Sequence, residues 1–183
     1  MNEPRQAEAW MSALAEHGLG DVDTSLAASL RAFANLADQA VVLMAGPGVV
    51  GYVPWIRDGL PMTGKLIVQL HPCHRGLDTL VQSQLDLDIR VASHYQDLDG
   101  FLEDVFQHRF DLVIADEEDI GAFTRTLAMV KDTGAAIFVG GEPSRRTLME
   151  SLSAEYFAAD PGPGASILTR KNVQHRRARR RQR

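Results

Sequence analysis

Val41-Val-Leu-Met-Ala-Gly46-Pro-Gly48-Val-Val-Gly51-Tyr52 is the stretch whose reading decides the fold. An apolar run, Val41 to Ala45, stops on three glycines, and Tyr52, Val53, Trp55 and Ile56 follow at helical spacing. That order reads as a buried strand, a tight turn, and a helix whose N-terminus faces a ligand. Glycine at such a turn lets the backbone approach a phosphate, a ribose or an amino-acid head group without a side chain intervening. The same residues also suit a strand-to-helix turn that holds no ligand, so the choice falls to the rest of the chain. Tyr52 and Trp55 either line a pocket or pack the helix on the sheet.

Upstream, Glu3 to His17 places Ala7, Trp10, Met11, Leu14 and Ala15 on one face, a helix ended by Gly18 and Gly20. Asp23 or Thr24 caps a second helix with Leu26, Leu30, Phe33 and Leu36 inward. Downstream, apolar strands alternate with helical segments. Strands are expected at Lys65–Leu70, Ile89–Ser93, Asp111–Ala115 (ending on Asp116) and Ala135–Val139 (ending on Gly140-Gly141). Helices are expected over Arg75–Gln84, Asp97–His108, Ile120–Lys131 and Ser144–Leu152. Continuous apolar strands spaced by helices predict an α/β fold, a parallel sheet covered on both faces. The end breaks that alternation: Glu155–Ala159 and Ala165–Arg170 are strand-like across the turn Pro161-Gly-Pro-Gly164, an antiparallel hairpin.

The chain of 183 residues suffices for one domain with a substantial core, and its apolar share of 45% is that of an ordinary globular protein. No apolar run approaches the roughly 18 residues of a membrane span, and the polar Met1–Gln6 does not read as a secretory signal. Cys73 is the only cysteine, so an internal disulfide is excluded and a cytoplasmic location is expected. The net charge of −5 conceals an asymmetry: His175–Arg183 holds six arginines and no acid. Without them the chain has 13 basic against 24 acidic residues, a net −11. An acidic body argues against a nucleic-acid face on the fold itself. The tail reads as a disordered, solvated end, with RNA, another anionic partner or the acidic body as the contacts it would make. No repeat and no interior linker is present, so one domain is expected over residues 1–174, with 1–38 as leading helices.

Taken together these segments resemble the class I S-adenosylmethionine-dependent methyltransferases, most closely the small bacterial O-methyltransferases related to catechol O-methyltransferase. The resemblance runs from about Asp23 to Lys171. It rests on the order and spacing of V-V-L-M-A-G-P-G, K-L-I-V-Q-L-H-P, F-D-L-V-I-A-D, G-A-A-I-F-V-G-G and the hairpin ending I-L-T-R-K. It implies a Rossmann-like three-layer sandwich: a seven-stranded, mostly parallel sheet with an antiparallel C-terminal hairpin. The methyl donor would lie at the strands' carboxyl ends. It implies donor contacts from Ala45, Gly46, Pro47 and Gly48, from Gln69, Leu70 and His71, from Tyr95 and Gln96, and from Asp116. A small-molecule acceptor and a homodimer also come with the resemblance.

The chain departs from the family at two places. Met44 stands where an acid is usual, and Gln69 stands where an acid holds ribose hydroxyls; glutamine bonds a diol without a carboxylate's charge-assisted strength. The metal-dependent branch ends its fourth strand on an acid, matched by Asp116, and its fifth on an Asp-Asn pair, here Gly140-Gly141. One carboxylate does not satisfy a hard cation. Glu117, Glu118 and Asp119 are adjacent and read as an acidic capping turn, so no metal is expected.

Two further features bear on chemistry. His71-Pro-Cys-His-Arg75 is a polar cluster at a strand end, either a metal-ligating group or an edge that accepts a 2′-phosphate. The latter, with the literal G-x-G-x-x-G, leaves an NADP-binding oxidoreductase as a rival. Asp116 is the candidate group to orient or deprotonate an acceptor hydroxyl, with His94 and His71 behind it. The leading function is methyl transfer to oxygen of a small molecule; a non-catalytic member acting through partners is the second reading, favoured by Met44, Gln69 and Gly140-Gly141.

Overall fold

The computed structural model describes residues 7–16, 22–35, 38–70, 88–95, 97–105, 107–116, 120–162 and 164–171. The helix expected at Arg75–Gln84, the His71–Arg75 cluster, Gln96, Glu117–Asp119 and the arginine-rich tail lie outside those residues.

Two helices lead, α1 (Ala7–Glu16) and α2 (Thr24–Ala34). Asp23 caps α2, its Oδ1 accepting the Ser25 and Leu26 amides at 2.8 and 3.1 Å. Strand β1 (Val41–Ala45) then enters a 3₁₀ helix (Pro47–Tyr52) that continues into α3 (Val53–Gly59). The remaining elements are β2 (Lys65–Leu70), β3 (Val91–Tyr95), α4 (Leu98–Val105), β4 (Phe110–Asp116), α5 (Ile120–Leu127), β5 (Val130–Val139), α6 (Glu142–Leu152), β6 (Tyr156–Gly162) and β7 (Ala165–Arg170).

The strand order is β3-β2-β1-β4-β5-β7-β6. β1 to β5 pair in parallel, and β7 runs antiparallel to both β5 and β6. From β1 the chain winds outward to β2 and β3, then returns across β1 to place β4 on its other side. The topological switch point, where open α/β sheets open a crevice, therefore lies between β1 and β4.

Residues of β1 alternate between the two layers. Val42 and Met44 join a core with Trp10, Leu26, Leu30, Trp55 and Ile56, while Leu43 joins the opposite core of Phe101, Phe123, Phe138 and Leu148. Helices α1–α3 thus cover one face and α4–α6 the other, completing the three-layer sandwich. Tyr52 and Trp55 are buried in the first core and pack the helix on the sheet. Trp10 is fully buried and donates its indole N–H to the Val50 carbonyl at 3.0 Å, tying α1 to the 3₁₀ turn.

Several boundaries differ from the sequence reading. β3 begins at Val91, because Ile89 is 98% exposed and Asp88 and Arg90 form a tight bend instead. Arg90 donates to Asp88 at 3.0 and 2.7 Å and to the Leu60 carbonyl at 2.7 Å. α5 stops at Leu127, and β5 begins at Val130 rather than Ala135. There Val130 pairs with Phe110 and Lys131 binds Asp111, interactions that helical periodicity does not register. β6 runs on to Gly162, its pairing with β7 shifting between Ala159 and Gly162.

Trp10→Ala removes the largest side chain between α1 and the 3₁₀ turn, and a loss of about 3–5 kcal/mol is expected in urea unfolding. A second expectation concerns acid. Hydrogen bonds from Arg90 hold the Asp88 carboxyl below its ordinary value, against the upward push of burial. A lowered folded-state pKa adds stability above the unfolded value near 4 and loses it as pH falls through the folded one. Asp88→Asn should therefore be less stable than wild type at neutral pH, and the two unfolding curves should converge in acid.

Candidate functional site

The register that pairs Ala45 with Ala115 makes Gly46 and Asp116 the next residues on adjacent strands, at the switch point. Gly46 has φ +104, a region closed to most side chains. Its amide donates to Gln69 Oε1 at 2.9 Å. The Gly48 amide donates to Asp116 Oδ2, so this carboxylate satisfies an N–H at the start of the 3₁₀ turn. A Cβ built on Gly46 would stand 2.6 Å from Asp116 Cγ and 2.7 Å from its Oδ2, and one on Gly48 would stand 2.9 Å from Oδ2. Both glycines are thus required by the acid beneath them. Asp116 is 8% exposed and Gln69 1%, so both side chains are held almost out of solvent.

Ala45, Gly46, Pro47, Gly48, Gln69 and Asp116 meet at this point. Leu70 is fully buried in the core under the leading helices, so its side chain does not face the crevice. Tyr95 ends β3 opposite Leu70, and His94 stands opposite Gln69. His71 and Gln96 lie outside the described residues. Met44 is fully buried in the first core. Gly51 does not belong to the crevice: a Cβ there would lie 2.7 Å from Val22 Cγ2 and 3.4 Å from Leu14 Cδ1, so packing against the leading segment requires it. Burial pushes the Tyr52 phenol above its ordinary value.

A second polar group at the same edge of the sheet was not singled out in the sequence. Arg145, on the first turn of α6, donates to Asp160 Oδ1 at 3.2 Å and to the Ala165 carbonyl at 3.1 Å. Ser166, fully buried, donates to the same Asp160 oxygen at 2.8 Å. These residues are separated by a helix and half a hairpin, and no local spacing announces them. At the opposite edge, residues leading into β4 and β5 help line a cavity of about 590 Å³, with Leu102, Arg109, Arg125 and Met129 among its walls. Among the described residues no group of three or more His, Cys, Asp or Glu is placed to hold a metal ion, and no helix is long and apolar enough to cross a membrane.

No protein-family model matches the chain, and no curated protein matches it. Solved structures do. A methyltransferase from Geobacter sulfurreducens superposes with a TM-score of 0.74 at 17% identity, covering 93% of each chain. An O-methyltransferase from Bacillus cereus, solved with S-adenosylhomocysteine, gives 0.74 at 13% identity, again over 93% of each chain. An O-methyltransferase of tomaymycin synthesis from Streptomyces achromogenes, solved with S-adenosylmethionine, gives 0.73 at 16% over 93% of this chain and 92% of that one. The architecture is therefore that of a class I methyltransferase. More narrowly, it is the fold of the small bacterial O-methyltransferases, from the leading helices to the antiparallel hairpin.

Contact between Gly46 and Asp116 can be measured. Gly46→Ala should cost about 1–3 kcal/mol through its backbone conformation alone, with the clash in addition. Asp116→Ala leaves the Gly48 amide without its carboxylate, about 1–3 kcal/mol. In a double-mutant cycle the combined loss should be smaller than the sum, because removing the carboxylate makes room for the new methyl. Strictly additive costs would show that the two residues do not pack as described.

Proposed function

We propose that the protein is an S-adenosylmethionine-dependent O-methyltransferase acting on a small molecule, without a divalent metal. The observation that carries this reading is the glycine turn at the switch point, with Gly46 at positive φ beside a buried amide and a buried carboxylate. Such a donor set suits a ligand that presents a sulfonium, an ammonium and ribose hydroxyls. When bound, the donor supplies an electrophilic methyl group. In this reading Gly46, Pro47 and Gly48 pass beneath its methionine part, with the Ala45 and Leu70 backbones beside them. Gln69, whose Oε1 accepts the Gly46 amide, is assigned to the ribose hydroxyls. Tyr95, Gln96 and His71 are assigned to the adenine side.

Asp116 has two tasks in this proposal. Its Oδ2 holds the Gly48 amide, and its carboxylate accepts the proton of an acceptor hydroxyl brought to the crevice. Holding acceptor and donor in line is the larger part of the catalysis. Gly140-Gly141 supports the metal-independent form, because it brings no side-chain oxygen to the end of β5 where a second ligand would be needed. The non-catalytic reading keeps one observation in its favour: the Gly46 and Gly48 amides are already bonded within the protein. The antiparallel β7 and the O-methyltransferase neighbours speak against the NADP reading.

Calorimetric titration with S-adenosylmethionine and with NADPH separates the three readings. Donor binding without NADPH binding is expected, Gln69→Ala should weaken it about tenfold, and Asp116→Asn should lower turnover by about 10²-fold or more. Binding of neither ligand would leave the non-catalytic reading standing.

A further inference from the structure

We propose that Arg145 is an acceptor-binding residue and that the acceptor carries a carboxylate; this rests on the methyltransferase reading of the neighbouring crevice. Arg145 sits where α6 leaves the carboxyl end of β5, and its amide is bonded to the Gly141 carbonyl. Side chains on a helix lean toward its N-terminus, which carries this guanidinium to the edge where β5 and β7 meet. There Nη1 is committed to Asp160 Oδ1 and the Ala165 carbonyl. Nε, fully buried, has no hydrogen-bond partner among the described residues. A buried N–H in that condition calls for an oxygen that the described residues do not supply. The Nε–Nη2 edge of a guanidinium is a planar fork that matches a carboxylate with two parallel hydrogen bonds.

The location suits an acceptor. Asp116 pairs with Val139 on β5, and Val139 pairs with Ala165 on β7. Two strand spacings, about 10 Å, therefore separate Asp116 from the residue whose carbonyl Arg145 holds. One small molecule spans that interval, its hydroxyl at Asp116 and its anionic end at Arg145. Asp160 already neutralises Arg145 and is bonded in turn by Ser166, which fixes it in place.

Arginine side-chain NMR tests the assignment directly. In a titration with benzoate the Arg145 Nε–Hε resonance should shift, and it should stay in place with the neutral isostere benzamide. Arg145→Lys keeps the charge paired with Asp160 but removes the fork, and should weaken benzoate binding at least tenfold while S-adenosylhomocysteine binding is unchanged. An unmoved Arg145 resonance, or equal response to benzoate and benzamide, would overturn the proposal. If Arg145 responds to benzoate but no donor product binds, the carboxylate site stands and the methyltransferase reading fails.

Discussion

The contact between the Asp116 carboxylate and the glycine turn is the constraint that the rest of the site depends on. Parallel pairing of β1 with β4 carries the chain to Gly46 on one strand and Asp116 on the next. The carboxylate then takes the Gly48 amide, one of the N–H groups that a helical turn leaves without an internal partner. Its volume forbids a Cβ at either glycine. An acid some seventy residues downstream therefore dictates two glycines at the end of the first strand, and the positive φ of Gly46 follows from the turn they make.

The same geometry explains why the glycine pattern is not the dinucleotide fingerprint it spells. Gly46 and Gly48 answer to Asp116, but Gly51 answers to Val22 and Leu14, on the other side of the loop. The third glycine belongs to the packing of the leading segment against the sheet. Met44 follows from that packing too. It faces the core of Trp10, Leu30 and Ile114, where a carboxylate would be buried among apolar side chains at a cost of several kcal/mol.

Strand positions were legible wherever burial governed them: β1, β2, β4 and β7 are apolar runs, and they form where those runs stand. The misplaced boundaries are those set by partners distant in sequence. Ile89 is apolar yet exposed, because the bend is fixed by Arg90 reaching Asp88 and Leu60. Val130 and Lys131 continue a helical pattern yet belong to β5, because Phe110 and Asp111 lie alongside. The same distinction applies at the site. Gly46, Gly48, Gln69 and Asp116 stand at strand ends, where topology alone brings them together. Arg145, Asp160 and Ser166 meet only once a hairpin has folded beneath a helix, and their spacing carries no signature.

Gln69 is the residue on which the departure from the acid-bearing pattern turns, and the structure gives it a physical reason. Both Gln69 and Asp116 close on Gly46, the first through its amide and the second through the space where a Cβ would lie. Both are nearly sealed from solvent. Two carboxylates in that position would repel at close range in a poorly solvated setting, and one of them would be forced to stay protonated. A neutral amide accepts the Gly46 N–H as a carboxylate would and brings no second negative charge beside Asp116. In a chain whose body already carries net −11, one buried acid beside one buried amide is the arrangement that avoids a second buried carboxylate at the switch point.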